Sequence, residues 1–168
     1  LQMPANESVS NREAEEKEIA SRKEEAKFHY LNIVRANGLQ SRNSLRIGFH
    51  AFALKEKSLW GLLGYRDEHE TREAADVGES TWFATIRLAE KFRGVPEELF
   101  ISMKLSNCKA LSELPEPKRI DRDWLKFAAD ESMKDFAKRC DEEMNGKTRD
   151  SDTKEQSTTV KMIMPISR

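Results

Sequence analysis

Apolar residues recur at helical spacing along most of this 168-residue chain, and polar stretches separate the segments that carry this pattern. Residues 12–36 are predicted to form a long helix, polar in its first half and amphipathic later, which Asn37-Gly38 ends. A second helix is predicted from near Ser44 to Lys57, with Gly48 as a weak point because glycine lowers helix stability. The pattern therefore predicts a mainly α fold that begins with a long N-terminal helix.

Composition divides the chain into four predicted parts. Residues 1–11 are polar and predicted to be disordered, and residues 12–38 are the N-terminal helix. Almost all aromatic residues lie between the charged ends of the chain, so the core is predicted over roughly residues 28–140, and residues 41–146 are predicted to form a multi-helix domain. Residues 147–168 are predicted to be a polar linker and then a candidate C-terminal β-strand, rich in β-forming residues over 158–166. Because one strand is not stable alone, it would pair with another chain or a further domain, or have no partner.

Residues 74–89 have the pattern of a short helix, a tight turn and a second amphipathic helix. Gly78 is expected to close the first helix in the left-handed conformation. Ser80 or Glu79 is expected to cap the second helix, which is predicted over about 80–92. Two interpretations of this pattern stay open, namely a DNA-binding helix-turn-helix and an ordinary corner of a helical domain.

The second helix of this motif has two faces at helical spacing. Trp82, Ile86 and Ala89 fall on one side, which is predicted to pack against the rest of the domain. In helix-turn-helix proteins the free face and the N-terminal residues of the second helix enter the major groove. The residues expected to contact DNA are Arg72, Ser80, Thr81, Ala84, Thr85, Arg87 and Lys91.

The charge of the chain limits what kind of nucleic-acid binding is expected. The formal net charge is −1, which argues against a generally polybasic protein. Residues 41–94 contain nine basic and eight acidic residues, so the region of the motif is only slightly basic. The affinity of one monomer for DNA would then be modest and sensitive to salt, and binding would depend on a local basic patch. The candidate patch consists of Arg42, Arg46, Arg72, Arg87, Lys91 and Arg93.

The remaining chemistry-bearing residues indicate no catalytic or metal site. Cys108 and Cys140 lie far apart, and the three histidines are scattered, without the spacing of metal ligands. No phosphate-binding glycine loop or recognisable catalytic grouping is present, so neither an enzyme nor a cofactor is expected. No apolar run approaches the roughly 18 residues of a membrane span, and the N-terminus is unlike a signal peptide. These features predict a reduced cytoplasmic protein.

Residues 80–89 read Ser-Thr-Trp-Phe-Ala-Thr-Ile-Arg-Leu-Ala, and several short segments follow them in a fixed order. These segments are Val95-Pro96-Glu97-Glu98-Leu99, Lys104-Leu105-Ser106, Ala110-Leu111 and Leu114-Pro115. Together they resemble the helix-turn-helix region of ParB-type partition proteins, in which a Ser-Thr start precedes an aliphatic-Arg-Leu segment. The resemblance covers about residues 68–117. It implies a DNA-binding helical domain of the kind found in plasmid, phage and mobile-element proteins.

The chain also departs from the ParB pattern. Its turn is shorter, the helix between Pro96 and Lys104 is shorter, and Glu79 places an acid in the turn. The upstream arginine-rich nucleotide-binding motif has no counterpart, so nucleotide hydrolysis is not implied.

The sequence therefore supports two hypotheses about function. The first is sequence-specific binding of double-stranded DNA in a partition-like or transcription-regulatory role, by a homodimer that the N-terminal helix or the C-terminal strand assembles. The alternative is a helical protein–protein interaction adaptor of a phage, plasmid or mobile element, docked through the same helix or strand. The low net charge and Glu79 favour this alternative.

Overall fold

A computed structural model describes the backbone of residues 5–38 and 43–156, and the side chains of residues 9–38 and 43–146. The ordered elements of these residues are helices, without a strand, so the predicted mainly α fold is confirmed. The candidate strand over residues 158–166 lies outside the described residues. The helices are α1 (Ala5–Gly38), α2 (Ser44–Glu56), a 3-10 helix (Trp60–Leu63), α3 (Glu68–Ala74), α4 (Glu79–Lys91), α5 (Glu97–Ser102), α6 (Leu105–Ser112), α7 (Glu116–Arg119), α8 (Arg122–Asp130) and α9 (Met133–Gln156).

Two helix boundaries differ from the sequence predictions. Helix α1 begins at Ala5, so residues 5–11 are helical and not disordered as predicted. Helix α9 continues through Gly146 to Gln156, where the sequence predicts a linker. A helix that is already formed adds residues at little cost, and one interior glycine costs only about 1 kcal/mol. Neither the polar N-terminal residues nor Gly146 is therefore enough to end its helix.

The described residues divide into two compact units, with the boundary between Ile101 and Ser102, where the sequence predicts one domain over 41–146. Aromatic residues that suggested one core form separate groups. In the first unit Trp60 packs beside Trp82, with 6.1 Å between ring centroids. In the second unit Trp124 packs edge-on to Phe136 at 6.2 Å. Among residues 5–38 and 43–156, no helix has both the length and the apolar character needed to cross a bilayer.

In the first unit, α2 lies between α1 and α4 and makes its main contacts with these two helices. The sequence of α2 is apolar on more than one side, as expected for a helix that packs against two neighbours. The buried core draws residues from all three helices, including Ile33, Ile47, Leu54, Trp82 and Ile86. Helix α1 is therefore part of this unit and not a separate appendage.

Helix α2 and helix α4 approach each other most closely at Gly48. A Cβ atom at this position would lie 2.5 Å from Cβ and from the carbonyl carbon of Thr85, closer than real Cβ atoms approach other heavy atoms. Gly48 therefore lets the α4 backbone lie directly against α2. The sequence interpretation of Gly48 as a weak point misses this role, because the contact partner is more than thirty residues away along the chain.

In the second unit, α6 packs against α8 and α9. The side-chain amide of Asn107 donates hydrogen bonds to the carbonyl oxygens of Ala128 (3.1 Å) and Glu131 (2.9 Å) and so ties α6 to the end of α8. The Ser132 hydroxyl accepts a hydrogen bond from the Asp135 backbone amide and caps α9. The buried Asn107 side chain thus joins α6 to the end of α8.

We predict that Gly48→Ala destabilises the first unit by roughly 2–3 kcal/mol, because the new methyl group forces α2 and α4 apart. Urea unfolding followed by circular dichroism measures this loss. Gly61→Ala is the matched control, since a Cβ at Gly61 meets nothing within 4 Å, and its stability should stay near that of the wild type. Equal stability of the two variants would contradict the close helix contact.

Candidate nucleic-acid interface

Helices α3 and α4 are joined by a four-residue turn, residues 75–78. The Val77 amide donates to the Arg72 carbonyl oxygen (3.3 Å) and the Asp76 amide donates to that of Glu73 (3.0 Å). This pair of hydrogen bonds is a Schellman motif, which closes a helix with one left-handed residue. The left-handed residue is Asp76, with φ of 59°. A short polar side chain tolerates this conformation better than most others.

This geometry corrects two predictions about the turn. Gly78 was expected to be left-handed, but its φ is −62° and its ψ is 146°, which is extended backbone. Gly78 is also the N-cap of α4, and α4 has no side-chain cap from Ser80 or Glu79. The sequence suggests Gly78 because glycine most often takes the left-handed position, whereas here Asp76 takes it.

Side chains bind the backbone carbonyl groups of the turn. The Asn37 amide at the end of α1 donates to the carbonyl oxygens of Ala75 (3.2 Å) and Asp76 (2.8 Å). The Arg72 guanidinium donates to the Val77 carbonyl oxygen at 2.9 Å. Each of these three carbonyl groups therefore has a side-chain partner, and the turn is held to α1 as well as to α3.

The position of Arg72 changes its expected role. One terminal nitrogen binds Val77, and the other lies 3.2 Å from Nδ1 of His69. The sequence predicts that Arg72 contacts DNA, but its guanidinium is engaged within the turn and its own helix. We therefore assign Arg72 to the support of the turn. The sequence shows only a basic residue near a helix end, which fits both roles.

Helix α4 buries one side, as its periodicity predicts. Trp82, Ile86 and Ala89 are buried, so the predicted packing face is confirmed. Thr85 is also buried, at 2% exposure, and its hydroxyl donates to the Thr81 carbonyl oxygen (2.7 Å) within the helix. The prediction that Thr85 contacts DNA is therefore wrong. A threonine hydroxyl that is satisfied by its own helix can be buried without loss of a hydrogen bond.

The opposite side of α4 carries the residues that remain candidates for DNA contact. Ser80, Ala84, Arg87 and Lys91 recur at intervals of three and four residues and so lie along one side, here called the α4 stripe. Ser80, Arg87 and Lys91 are exposed, and Ala84 is half-buried. Thr81, another candidate, is half-buried near the N-terminus of the helix. Within the described part of the chain, Arg87 has no ion-pair partner.

The predicted basic patch is only partly assembled. Arg87 and Lys91 share the α4 stripe, but Arg93 pairs with Glu56 at 2.9 Å and stacks on the Phe52 ring. Arg46 belongs to α2, and its Nε atom is buried without a hydrogen-bond partner. Arg42 lies outside the described residues. The patch that the structure supports therefore consists of two cations on α4.

Other exposed groups change the character of this surface. Glu79 and Glu90 are exposed on α4, and they offset the charge of Arg87 and Lys91. Phe83 is also exposed, at 37%, which leaves an aromatic ring beside the polar groups. The surface can thus donate hydrogen bonds from Ser80 and Arg87 and make apolar contacts through Phe83.

The described residues offer little for metal or thiol chemistry. No group of three or more His, Cys, Asp or Glu side chains among them could hold a metal ion. Burial raises the pKa of Cys108 to about 12 and that of Cys140 to about 11. Both thiols therefore stay protonated near neutral pH and lack the nucleophilic thiolate form.

Comparisons with protein-family models, with curated proteins and with solved structures found no match. The resemblance to ParB-type proteins therefore rests on the short segments of the sequence alone. The functional inference depends on the geometry of α3, the turn and α4.

We predict that Asn37→Ala destabilises the first unit by about 1–2 kcal/mol, because the turn loses two side-chain hydrogen bonds. Hydrogen exchange of the amides of residues 75–78 should also become faster. Asn32→Ala on the same helix is the control, since Asn32 only donates to the Phe28 carbonyl oxygen within α1. If the two variants exchange equally fast in the turn, Asn37 does not hold it.

Proposed function

We propose that this protein binds double-stranded DNA in a sequence-specific manner, with α4 as the recognition helix. The observation that carries the proposal is the α4 stripe, which faces solvent directly after a helix, a turn and the start of a second helix. In helix-turn-helix proteins this surface lies in the major groove. The resemblance to ParB-type proteins in residues 80–89 supports the same assignment.

The side chains of the α4 stripe suit different parts of a duplex. Arg87 is exposed, and a guanidinium can donate two hydrogen bonds to the O6 and N7 atoms of guanine. Ser80 and Thr81, near the start of the helix, can hydrogen-bond base edges, and the Ala84 methyl group suits the thymine methyl group. Lys91 at the other end of α4 suits a phosphate. These roles give Arg87 the largest share of sequence recognition.

The support of the turn favours this function. Asn37 and Arg72 bind the turn carbonyl groups, and Gly48 fixes α4 against α2. A helix held in this way loses little conformational freedom when it binds, so less of the contact energy is spent on ordering it. The same residues are not themselves required to contact DNA.

The charges of α4 limit the affinity of one monomer. Glu79 and Glu90 would lie near the phosphates and oppose the attraction of Arg87 and Lys91. We therefore propose a homodimer that binds two half-sites, and a partition-like or transcription-regulatory role in the cytoplasm. The N-terminal helix α1 and the C-terminal residues beyond the described part remain the proposed sites of dimer contact.

A protein–protein interaction adaptor is the second candidate. An open cavity of about 270 Å³ lies between α2 and the end of α4, lined by Phe49, Phe52 and Phe92 together with Arg93 and Glu56. Phe83 adds an exposed ring elsewhere on α4. Such apolar surface suits the side chain of a protein partner better than a phosphate backbone. Weak salt dependence of partner binding would favour this candidate, because DNA binding depends steeply on salt.

The first experiment selects bound duplexes from a random DNA library with the full chain, at low and at near-physiological salt. We expect enrichment of a motif with two half-sites, and affinity that falls steeply as salt rises. A protein that is folded by circular dichroism but enriches no motif would contradict the proposed function.

We predict that Arg87→Ala weakens binding to the selected duplex by about 10- to 100-fold, because one bidentate base contact contributes about 1–3 kcal/mol. Arg122→Ala is the matched control, since it removes the same charge from an exposed position on α8, outside the α4 stripe and the proposed dimer contacts. This control should change affinity less than about twofold. Fluorescence anisotropy measures the affinity of both variants for the selected duplex. Equal losses of affinity would show that Arg87 does not contact a base.

A further inference from the structure

The structure brings together two histidines that are 21 residues apart in the sequence. The Nδ1 atoms of His29 on α1 and His50 on α2 lie 2.7 Å from each other. Each ring also has a carboxylate at its other nitrogen. The His50 Nε2 atom lies 2.7 Å from Glu97 at the start of α5, and the His29 Nε2 atom lies 3.4 Å from Glu25.

The pair is shielded from water by its surroundings. The His50 side chain is fully buried, and the His29 side chain is 10% exposed. Phe28 packs edge-on to both rings, at 5.5 Å and 5.6 Å between centroids, and Phe49 packs edge-on to His50 at 5.2 Å. Hydrogen bonds inside this site therefore have little competition from solvent, and an unmade one is costly.

The three contacts Glu25–His29, His29–His50 and His50–Glu97 each need one proton between their atoms. Two neutral imidazole rings carry only two protons on nitrogen, so one of the three contacts lacks a proton. Three protons satisfy all three contacts and give the pair one positive charge. A fourth proton would place two N–H groups face to face at the short Nδ1–Nδ1 contact. The geometry thus accommodates one added proton and not two.

The distances indicate which contact lacks its proton in the neutral pair. The two contacts of 2.7 Å are short enough for hydrogen bonds, and the contact of 3.4 Å between His29 and Glu25 is the longest. In the neutral pair His29 therefore donates from Nδ1 to His50, and His50 donates from Nε2 to Glu97. The free lone pair lies on Nε2 of His29. Glu25 keeps an ion pair with Lys57.

The charged groups around the pair have opposite effects on the pKa values of the two rings. Burial lowers the pKa of His29, while Glu25 and Glu97 raise it and Lys57 lowers it. Burial also lowers the pKa of His50, where Glu97 acts in the opposite direction and His29 and Arg46 add to the lowering. The burial effect is the largest for both rings, so both pKa values lie below the ordinary value. Both rings are therefore neutral near pH 7.

We propose that the His29–His50 pair is a pH-sensitive joint, that is, a contact that holds α1 against α2. The pair takes up one proton at His29 Nε2 and stays in contact. The contact breaks when a second proton arrives. The first proton completes the contact with Glu25. The second proton can go only to Nδ1 of His50, which destroys the hydrogen bond that links α1 to α2. This inference is independent of DNA binding, since ring protonation and folding are measured without DNA.

The joint has a defined direction of pH dependence. Because the folded-state pKa values are lowered, the unfolded chain binds more protons as the pH falls through the ordinary histidine range near 6.5. The stabilisation that the neutral histidine pair gives to the folded state is complete above that pH, and it is lost as the pH falls through the folded-state pKa values. Acid should therefore loosen α1 from α2.

Nuclear magnetic resonance of the ¹⁵N-labelled full chain tests the proton positions directly. Above about pH 7.5 we expect opposite tautomers, with a proton on Nδ1 of His29 and on Nε2 of His50, and a scalar coupling between the two Nδ1 nuclei. As the pH falls, Nε2 of His29 should become protonated while Nδ1 of His50 stays unprotonated as long as the protein is folded. The same Nε2–H tautomer in both rings above pH 7.5, or two fully protonated rings in the folded protein, would overturn the proposal.

A variant series tests the effect on stability. The melting temperature of the wild type should fall by at least about 2–4 °C between pH 7.5 and pH 5.5. His29→Asn keeps a donor near the Nδ1 position but cannot titrate, so it should reduce this pH dependence and leave only the share that His50 contributes. His69→Asn is the matched control, because His69 lies exposed on α3 beside Glu73, and this variant should keep the wild-type dependence. An equal pH dependence of the melting temperature in His29→Asn and in the wild type would contradict the proposed role of the histidine pair. If His29→Asn does not fold, the NMR titration of the wild-type histidines tests the proposal instead.

Discussion

The close approach of α2 and α4 at Gly48 determines which side of α4 faces solvent. Because the Thr85 backbone lies directly against Gly48, the side of α4 that carries Thr85, Trp82 and Ile86 is turned into the core. The opposite side, the α4 stripe, then faces solvent. A side chain larger than hydrogen at position 48 would change the distance between the two helices and with it the position of every residue of the stripe. The proposed recognition surface thus depends on a contact made on the other side of its helix.

Helix α1 supports the same unit at two separate places. Asn37 near its end binds the turn that leads into α4, and His29 in its second half contacts α2 through His50. The turn and α2 are the two features that orient α4, so α1 influences α4 through both. The histidine pair and the α4 stripe, the sites of the proposed proton uptake and the proposed DNA contact, therefore belong to one packed unit. This connection explains why a helix that is largely polar in sequence belongs to the folded core of the unit.

Local patterns in the sequence predict the helices and the packing face of α4, but they do not predict contacts made across the chain. The period of Trp82 and Ile86 is enough to identify the buried side, because a helix repeats its faces at fixed intervals. Thr85 could not be assigned in this way, since its burial depends on the absence of a side chain at Gly48. His29 and His50 look scattered in the sequence because two different helices bring them together. The place of His50 in an apolar run is the one local signal of its burial.

The proposed role of α4 as the recognition helix is tested most directly by following the backbone amide resonances of the full chain as a DNA duplex from the selection is added. We expect the largest changes at the exposed residues of the α4 stripe and at Thr81 in the first turn of that helix. The buried residues of α4 should change much less. Changes confined to α1 or to the second unit, with α4 unaffected, would contradict the assignment of α4 as the recognition helix.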